Sequence, residues 1–325
     1  MLFRSRHELK PLSVHVDNPE ACPRYAAVVI DGVSPEPSPW WLKRDLEAVG
    51  IGSVNSIVDV TNYVMMSLGH PLHAFDYDRI TGHRLAIVQT TQKVSFAALN
   101  GKTYSVPAGA IIIKDGSHNA ALAGIIGGTS SHITEHTRTV VLEAAVFHAA
   151  TTRRTSQALG LRTEASSRFE KGLNQEMIPY ALAMAVDLIK KIYPNAQVAS
   201  GVVDKSYGGF VPTIITLEHS FLEQRLGTSV SVDQIKKILE RLQFGVRLKK
   251  RIFTITVPAF RTKDIAVPID IVEEVARIYG YNKIEPVMPR VALGNPERSI
   301  TSRLEREIKS ERRSHHVLTR ILWDS

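Results

Sequence analysis

The sequence predicts a mixed α/β (α+β) domain over residues 25–194, followed by a small winged-helix-like α+β domain over residues 212–283. Three observations carry this expectation. Strand-like runs rich in Val and Ile succeed one another between helical stretches and are punctuated by Gly, Pro and Asn. Residues 195–211 hold Gly201, Gly208 and Gly209 with few large apolar groups, as does a linker with room for one short strand. Helix, helix, basic hairpin and helix then follow closely, in the order of a winged helix-turn-helix. Residues 1–24 are left as an N-terminal segment and 284–325 as a C-terminal stub.

The first strand is YAAVVIDGV. The helix after it has Ser38 as N-cap, Pro39 at its first position and Gly50 beyond its end, with Leu42, Leu46 and Val49 on the buried stripe. A second helix is expected from Ser56 to Leu68, stopped by Gly69. Pro71 cannot continue it, so His70-Pro71-Leu72-His73 reads as a tight loop. LAIVQT, AIIIKDG, AALAGII and TVVLEAAVF read as strands. Asn174 caps a helix whose apolar residues Ile178, Ala181, Leu182, Ala185, Ile189 and Ile192 keep helical spacing up to Pro194. In the second domain, helices are expected at 218–226, 232–242 and 269–279, ended near Gly227, Gly245 and Gly280. VRLKK and FTITVP form the hairpin between the last two. The terminal SRLEREIKSERRSHHVLTR reads as a solvated helix.

With 325 residues, 44% hydrophobic and 22% charged, the chain has the composition of a globular protein with two cores. Its single Cys22 excludes a disulfide framework and a multi-cysteine zinc site. No apolar run reaches the roughly 18 residues of a membrane span, and MLFRSRHELK lacks a signal-peptide core, so a cytoplasmic protein is expected. Forty Lys and Arg against 32 Asp and Glu give a net charge of +8. Seven basic residues and no acidic one lie between Arg241 and Lys263, a field suited either to phosphates or to a solvated hairpin. Within it, Arg247, Lys249, Lys250 and Arg251 are the candidate RNA contacts.

Polar residues cluster in DVTNYVMMSLGHPLHAFD, near the Gly-rich ALAGIIGG and the hydroxyl-rich LRTEASSRFEKG. Gly127 and Gly128 permit close backbone approach. Glu143 lies inside an apolar strand and needs a partner: an arginine such as Arg153, Arg154 or Arg168, or a ligand hydroxyl. Thr163, Ser166 and Ser167 suit either a sugar-phosphate edge or a helix N-cap. His73, Asp76, Asp78 and Glu143 lack metal-ligand spacing, and no GxSxG, Walker A or GxGxxG pattern occurs. Asp270, Glu273 and Glu274 share a helical face near Asp264, acids that suit either a hard cation or a helix start. A DNA-binding regulator is a competing reading, against which residues 232–242 offer few base-reading groups. A non-catalytic module binding a partner subunit or tRNA is another.

PSPWWLKRDLEAVGI, IVDVTNYVMMSLGHPLHAFD, ALAGIIGG, LEAAVF and GLRTEASSRFEKG, in this order and spacing, resemble the editing domain of the bacterial-type phenylalanyl-tRNA synthetase β subunit. DIVEEVARIYGY resembles that subunit's small helix-turn-helix-like domain. The resemblance implies hydrolysis of tyrosine mischarged onto tRNA(Phe), in a pocket lined by Thr61, Asn62, His73, Gly127, Glu143, Thr163 and Ala165. It implies Glu143 as reader of the phenol, with His73 and Asn62 orienting a water. It further implies magnesium at Asp264, Asp270, Glu273 and Glu274 with the α subunit, an α2β2 assembly, and ATP used by the holoenzyme without binding this fragment. The family's LDG stands here as LNG (Leu99–Gly101), and GQPLHAFD as GHPLHAFD, which places His70 near the pocket entrance. Family members are longer, with a tRNA-binding domain before this region and catalytic-like and anticodon-binding domains after it. A fragment or truncated product is therefore expected.

Overall fold

The structure, a computed structural model, describes residues 9–116, 118–286, 288 and 299–323. Residues 1–8 of the expected N-terminal segment and 287, 289–298 and 324–325 of the expected stub lie outside the described residues.

Strand β1 (Ser13–Val16) alternates exposed and buried residues, as an edge strand over one layer does. By contrast, β2 (Arg24–Asp31) buries every residue from Tyr25 to Ile30. A strand apolar on both faces must lie between two layers. Helix α1 (Trp40–Ala48) presents Leu42 and Leu46, and α2 (Ser56–Leu68) presents Ile57, Val60 and Val64. The α2 boundaries are those expected: Asn55 accepts from the amides of Ile57 and Val58, and Gly69 ends the helix at φ 69°. Ser38 is not the α1 cap. Pro39 holds that position, and the Ser38 hydroxyl donates instead to buried Asp59, which also accepts from Ser53 and the Val54 amide.

After α2 come β3 (Leu72–Asp76), β4 (Arg84–Gln89), β5 (Val94–Ala97), β6 (Thr103–Val106), β7 (Ile111–Asp115), β8 (His118–Leu122), β9 (Ile126–Gly127) and β10 (Thr139–Val146). Helices α3 (Ala149–Ala158), α4 (Glu164–Phe169) and α5 (Ile178–Ile192) follow, then β11 (Gln197–Val198) and β12 (Val203–Ser206). The central sheet runs β11-β2-β10-β3, with β12 also on β2. Ala26, Val28, Ile30, Leu142 and Ala144 pack against α1, α2 and α5. The alternate residues Tyr25, Ala27, Val29, Val141 and Ala145 face a second sheet, ordered β1-β4-β7-β8-β9. Helices, sheet and sheet thus form three layers, each fully buried Val, Ile or Leu contributing about 1.5–3 kcal/mol.

Two expectations change. His73 lies in β3, not in a loop, because Pro71 forbids helix but favours the extended backbone that pairs with β10. Residues 195–211, expected as a linker with room for one short strand, supply two strands, β11 and β12, to the central sheet, and Arg24 fastens β12 through Asp204 at 2.8 Å.

The second domain comprises β13 (Ile214–Glu218), α6 (His219–Leu226), α7 (Val232–Arg241), β14 (Gly245–Lys249), β15 (Ile252–Thr256) and α8 (Pro268–Tyr279), its sheet ordered β13-β15-β14. Ser231 caps α7 as an N-cap hydroxyl should. The described residues up to Tyr279 form one compact unit and those from Gly280 onward another, the latter containing helix α9 (Ile300–Trp323).

Candidate active site

A cavity of about 580 Å³ opens at β3, the edge strand of the central sheet, a size suited to a small organic ligand. It brings together Thr61, Asn62, His73, Gly127, Glu143, Thr163 and Ala165. Helix α2 contributes Thr61 and Asn62; the β8–β9 turn and β9 contribute Gly124 to Gly127; the start of α4 contributes Thr163 and Ala165.

Glu143 is the sole acid in the buried run of β10, and its side chain falls on the face that meets the second sheet. Antiparallel register sets it directly opposite His73, so their Cβ atoms lie about 5 Å apart. Glu143 is 5% exposed and its Oε2 has no hydrogen-bond partner. No ion pair reaches it among the described residues: Arg168 binds Glu164 at 2.6 Å, and Arg154 leans on Thr151. Burial pushes the Glu143 carboxyl up to about 8, against a smaller opposing influence of the Tyr25 hydroxyl. Tyr25 stands diagonally across β2, yet its hydroxyl has no hydrogen bond of regular geometry. The carboxyl is therefore predominantly neutral near pH 7, offering one donor and one acceptor.

His73 stacks edge-on against Phe75 with ring centres 4.4 Å apart. Its ring is partly accessible from the cavity but enclosed by protein, and this desolvation lowers its pKa to about 4. The imidazole is neutral at physiological pH. Gly127 is the condition for its position: a Cβ there would lie 2.7 Å from His73 Cε1 and 2.8 Å from Leu99 Cδ1. His70 does not line the cavity. It is 1% exposed, its Nε2 is unpartnered, and burial pushes its pKa down to about 4.

Two hydroxyls in the wall are already spent. Thr61 donates to the Val58 carbonyl at 2.6 Å. Thr163 caps α4, accepting from the Ser166 amide and donating to the Ile125 carbonyl at 2.8 Å, which ties the helix to the β8–β9 turn. LRTEASSRFEKG is thus the N-cap and body of a short helix. Tyr25, Leu99 and Phe169 belong to this neighbourhood and were not singled out from the sequence. Only the alternation along β2 could have placed Tyr25 on the Glu143 face.

Of the four acids proposed for magnesium, three are engaged. Arg261 binds Asp264 at 2.7 Å and Glu274 at 2.8 Å, Arg277 also binds Glu274, and Asp270 accepts from the Ala266 and Val267 amides. Glu273 is the fourth. The Arg261 guanidinium thus sits between Asp264 and Glu274, and no group of three potential metal ligands occurs among the described residues. This donor set, as placed, does not fit a resident cation. Arg247 and Lys249 lie on β14, and Lys250 and Arg251 form its two-residue turn, all away from the cavity lining.

Residues 21–194 match the family model described as the B3/4 domain, and residues 215–281 that described as the tRNA synthetase B5 domain. These two matches define the chain as the B3/4–B5 region of an aminoacyl-tRNA synthetase. The phenylalanine–tRNA ligase β subunit of Solibacter usitatus is 38% identical over 301 residues, covering 92% of this chain and 39% of that protein. That of Geobacter sulfurreducens is 40% identical over 298 residues, covering 91% of this chain and 37% of that protein. The chain belongs to the phenylalanine–tRNA ligase β-subunit family and spans about two-fifths of the length of these relatives. An N-terminal fragment of the phenylalanyl-tRNA synthetase β subunit from Pyrococcus horikoshii aligns with a TM-score of 0.42 at 15% identity, over 86% of this chain and 78% of that one, too low to bear on the fold.

Proposed function

We propose that this chain edits, hydrolysing tyrosine esterified to tRNA(Phe) in the cavity beside β3. The observation that carries this reading is the buried, unpaired Oε2 of Glu143 in the cavity wall. An orphaned carboxyl oxygen is costly unless a ligand satisfies it. A tyrosyl phenol both donates to and accepts from a neutral carboxyl, whereas a phenylalanyl ring leaves it unsatisfied. Sites built to hydrogen-bond a hydroxyl reject the analogue lacking it by roughly 10⁴-fold or more. A synthetic pocket shaped for phenylalanine excludes the larger tyrosine only weakly, by about 10² in comparable apolar pockets, so a second site is needed.

Neutral His73 and Asn62 then position a water against the ester carbonyl. Water oxygen adds to the carbonyl carbon, the bond to the ribose oxygen breaks, and the ribose oxygen takes the proton, leaving free tyrosine and uncharged tRNA. Positioning is the main requirement because the ester is already activated. Thr163 and Gly127 act through geometry, one fixing α4 and the other seating His73. The reading includes an α subunit as partner in an α2β2 enzyme, with ATP and magnesium serving synthesis; no step here runs through the metal. The purified chain should hydrolyse Tyr-tRNA(Phe) faster than Phe-tRNA(Phe), and Glu143→Ala should erase that preference. An unchanged preference would reject Glu143 as the phenol reader.

A further inference from the structure

A second depression, of about 590 Å³, lies between α3 and the residues that flank α4 on either side. It is lined by Arg153, Gln157, Arg162, Glu170 and Lys171, together with Ser156 and the 160–161 turn. Arg162 of the cleft directly precedes Thr163 of the cavity, and Phe169 of the cavity directly precedes Glu170 of the cleft, so the two depressions adjoin along the chain at both ends of α4. Charge in the cleft is unbalanced. Its one acid, Glu170, is taken by Arg162 at 3.2 Å, and Arg153 and Lys171 have no carboxylate partner among the described residues.

A further cation is brought to the same edge by the second domain. Lys263 donates to the Lys171 carbonyl at 3.4 Å and lies against Gly172, and partial burial lowers its pKa. It too lacks an ion pair among the described residues. Gathering Arg153, Arg162, Lys171 and Lys263 around one carboxylate costs repulsion that a polyanion would relieve.

We propose that this cleft binds the phosphodiester backbone of the single-stranded 3′ end of tRNA, holding the strand whose terminal ribose delivers the ester to the neighbouring cavity. The proposal deepens the editing reading and rests on it. Each phosphate held by a basic side chain releases condensed counterions, so removing that side chain flattens the salt dependence of binding by about 0.7 per contact for single strands. Arg153 and Lys171 are exposed and can be changed without touching either core.

The test uses the full chain and two substrates, Tyr-tRNA(Phe) and 3′-O-tyrosyl-adenosine, which lacks the phosphates. In Arg153→Ala/Lys171→Ala, kcat/KM on the tRNA should fall about 3- to 10-fold relative to that on the nucleoside ester, through KM, with the salt slope reduced by about 1.4. Lys190→Ala/Lys191→Ala, which removes two exposed charges from α5, should leave the ratio where it was. An equal ratio in the cleft variant and the wild type would overturn the proposal while leaving editing intact. Should neither ester be hydrolysed, the editing reading fails. Filter binding of uncharged tRNA(Phe) then decides the cleft alone: intact tRNA should bind the cleft variant more weakly, and tRNA trimmed of its last four nucleotides should bind variant and wild type alike. Identical affinities for the intact tRNA would sink it.

Discussion

Replacing Glu143 with glutamine keeps the shape of the side chain and removes its titration, so the consequence of burying this acid can be read as stability against pH. Burial holds the folded-state carboxyl at about 8, against an ordinary value of 4.5. Between those pH values the unfolded chain has released the proton while the native chain keeps it. The native state therefore binds more protons, and stability falls as pH rises from about 4.5 to about 8. At 1.36 kcal/mol per pH unit, the full loss amounts to roughly 5 kcal/mol, a large share of a typical folding free energy. The desolvated His70 and His73 rings act in the opposite sense at lower pH. Their depressed pKa values make stability rise between about pH 4 and 6.5, but equally in both proteins. The difference between wild type and Glu143→Gln isolates the carboxyl. Urea unfolding at pH 5, 6.5 and 8 should show glutamine gaining on glutamate by several kcal/mol across the series. Stability curves that stay parallel within about 0.5 kcal/mol would refute the premise that Glu143 is buried without a compensating partner.

Gly127→Ala should push the His73 ring from its seat, since the new methyl would overlap the imidazole and Leu99. Deacylation of Tyr-tRNA(Phe) should then drop about 10²-fold, while overpacking costs about 1–3 kcal/mol of stability. A rate within twofold of wild type would remove His73 from the reaction. In the β14–β15 hairpin, Lys250 and Arg251 occupy the two turn positions at φ 48° and 64°, a conformation that suits Asn-Gly. Lys250→Asn/Arg251→Gly should raise stability by about 1 kcal/mol in urea titration, and a loss would show that these side chains hold the second domain in some other way.

The parts of the fold written as apolar periodicity with firm stops were legible. Helix α2 between Asn55 and Gly69, the long apolar face of α5, and β10 all follow from local signals. Helix α3 escaped because its buried face is Thr151, Thr152, Thr155 and Ser156, hydroxyls that give no hydrophobic stripe. The strand character of His73 depends on β10, some seventy residues away, which no local pattern announces. The same distance explains how the cavity lining could be assembled only by likeness to a known family: its pieces come from α2, β3, β9, β10 and α4. Residue chemistry suggested Glu143 from its apolar neighbours, but a hydroxyl already spent on a helix cap, as in Thr163, looks in sequence like one free for a ligand.

Strand β2 is completed by partners that lie far along the chain, β10 ending at Val146 and β12 ending at Ser206. At a translation speed of about 5–20 residues per second, the ribosome needs roughly 10–35 s after making Arg24 before Ser206 exists. Until then the nascent chain carries an apolar ribbon with an unfilled side, which makes this segment a natural client for holding factors during synthesis.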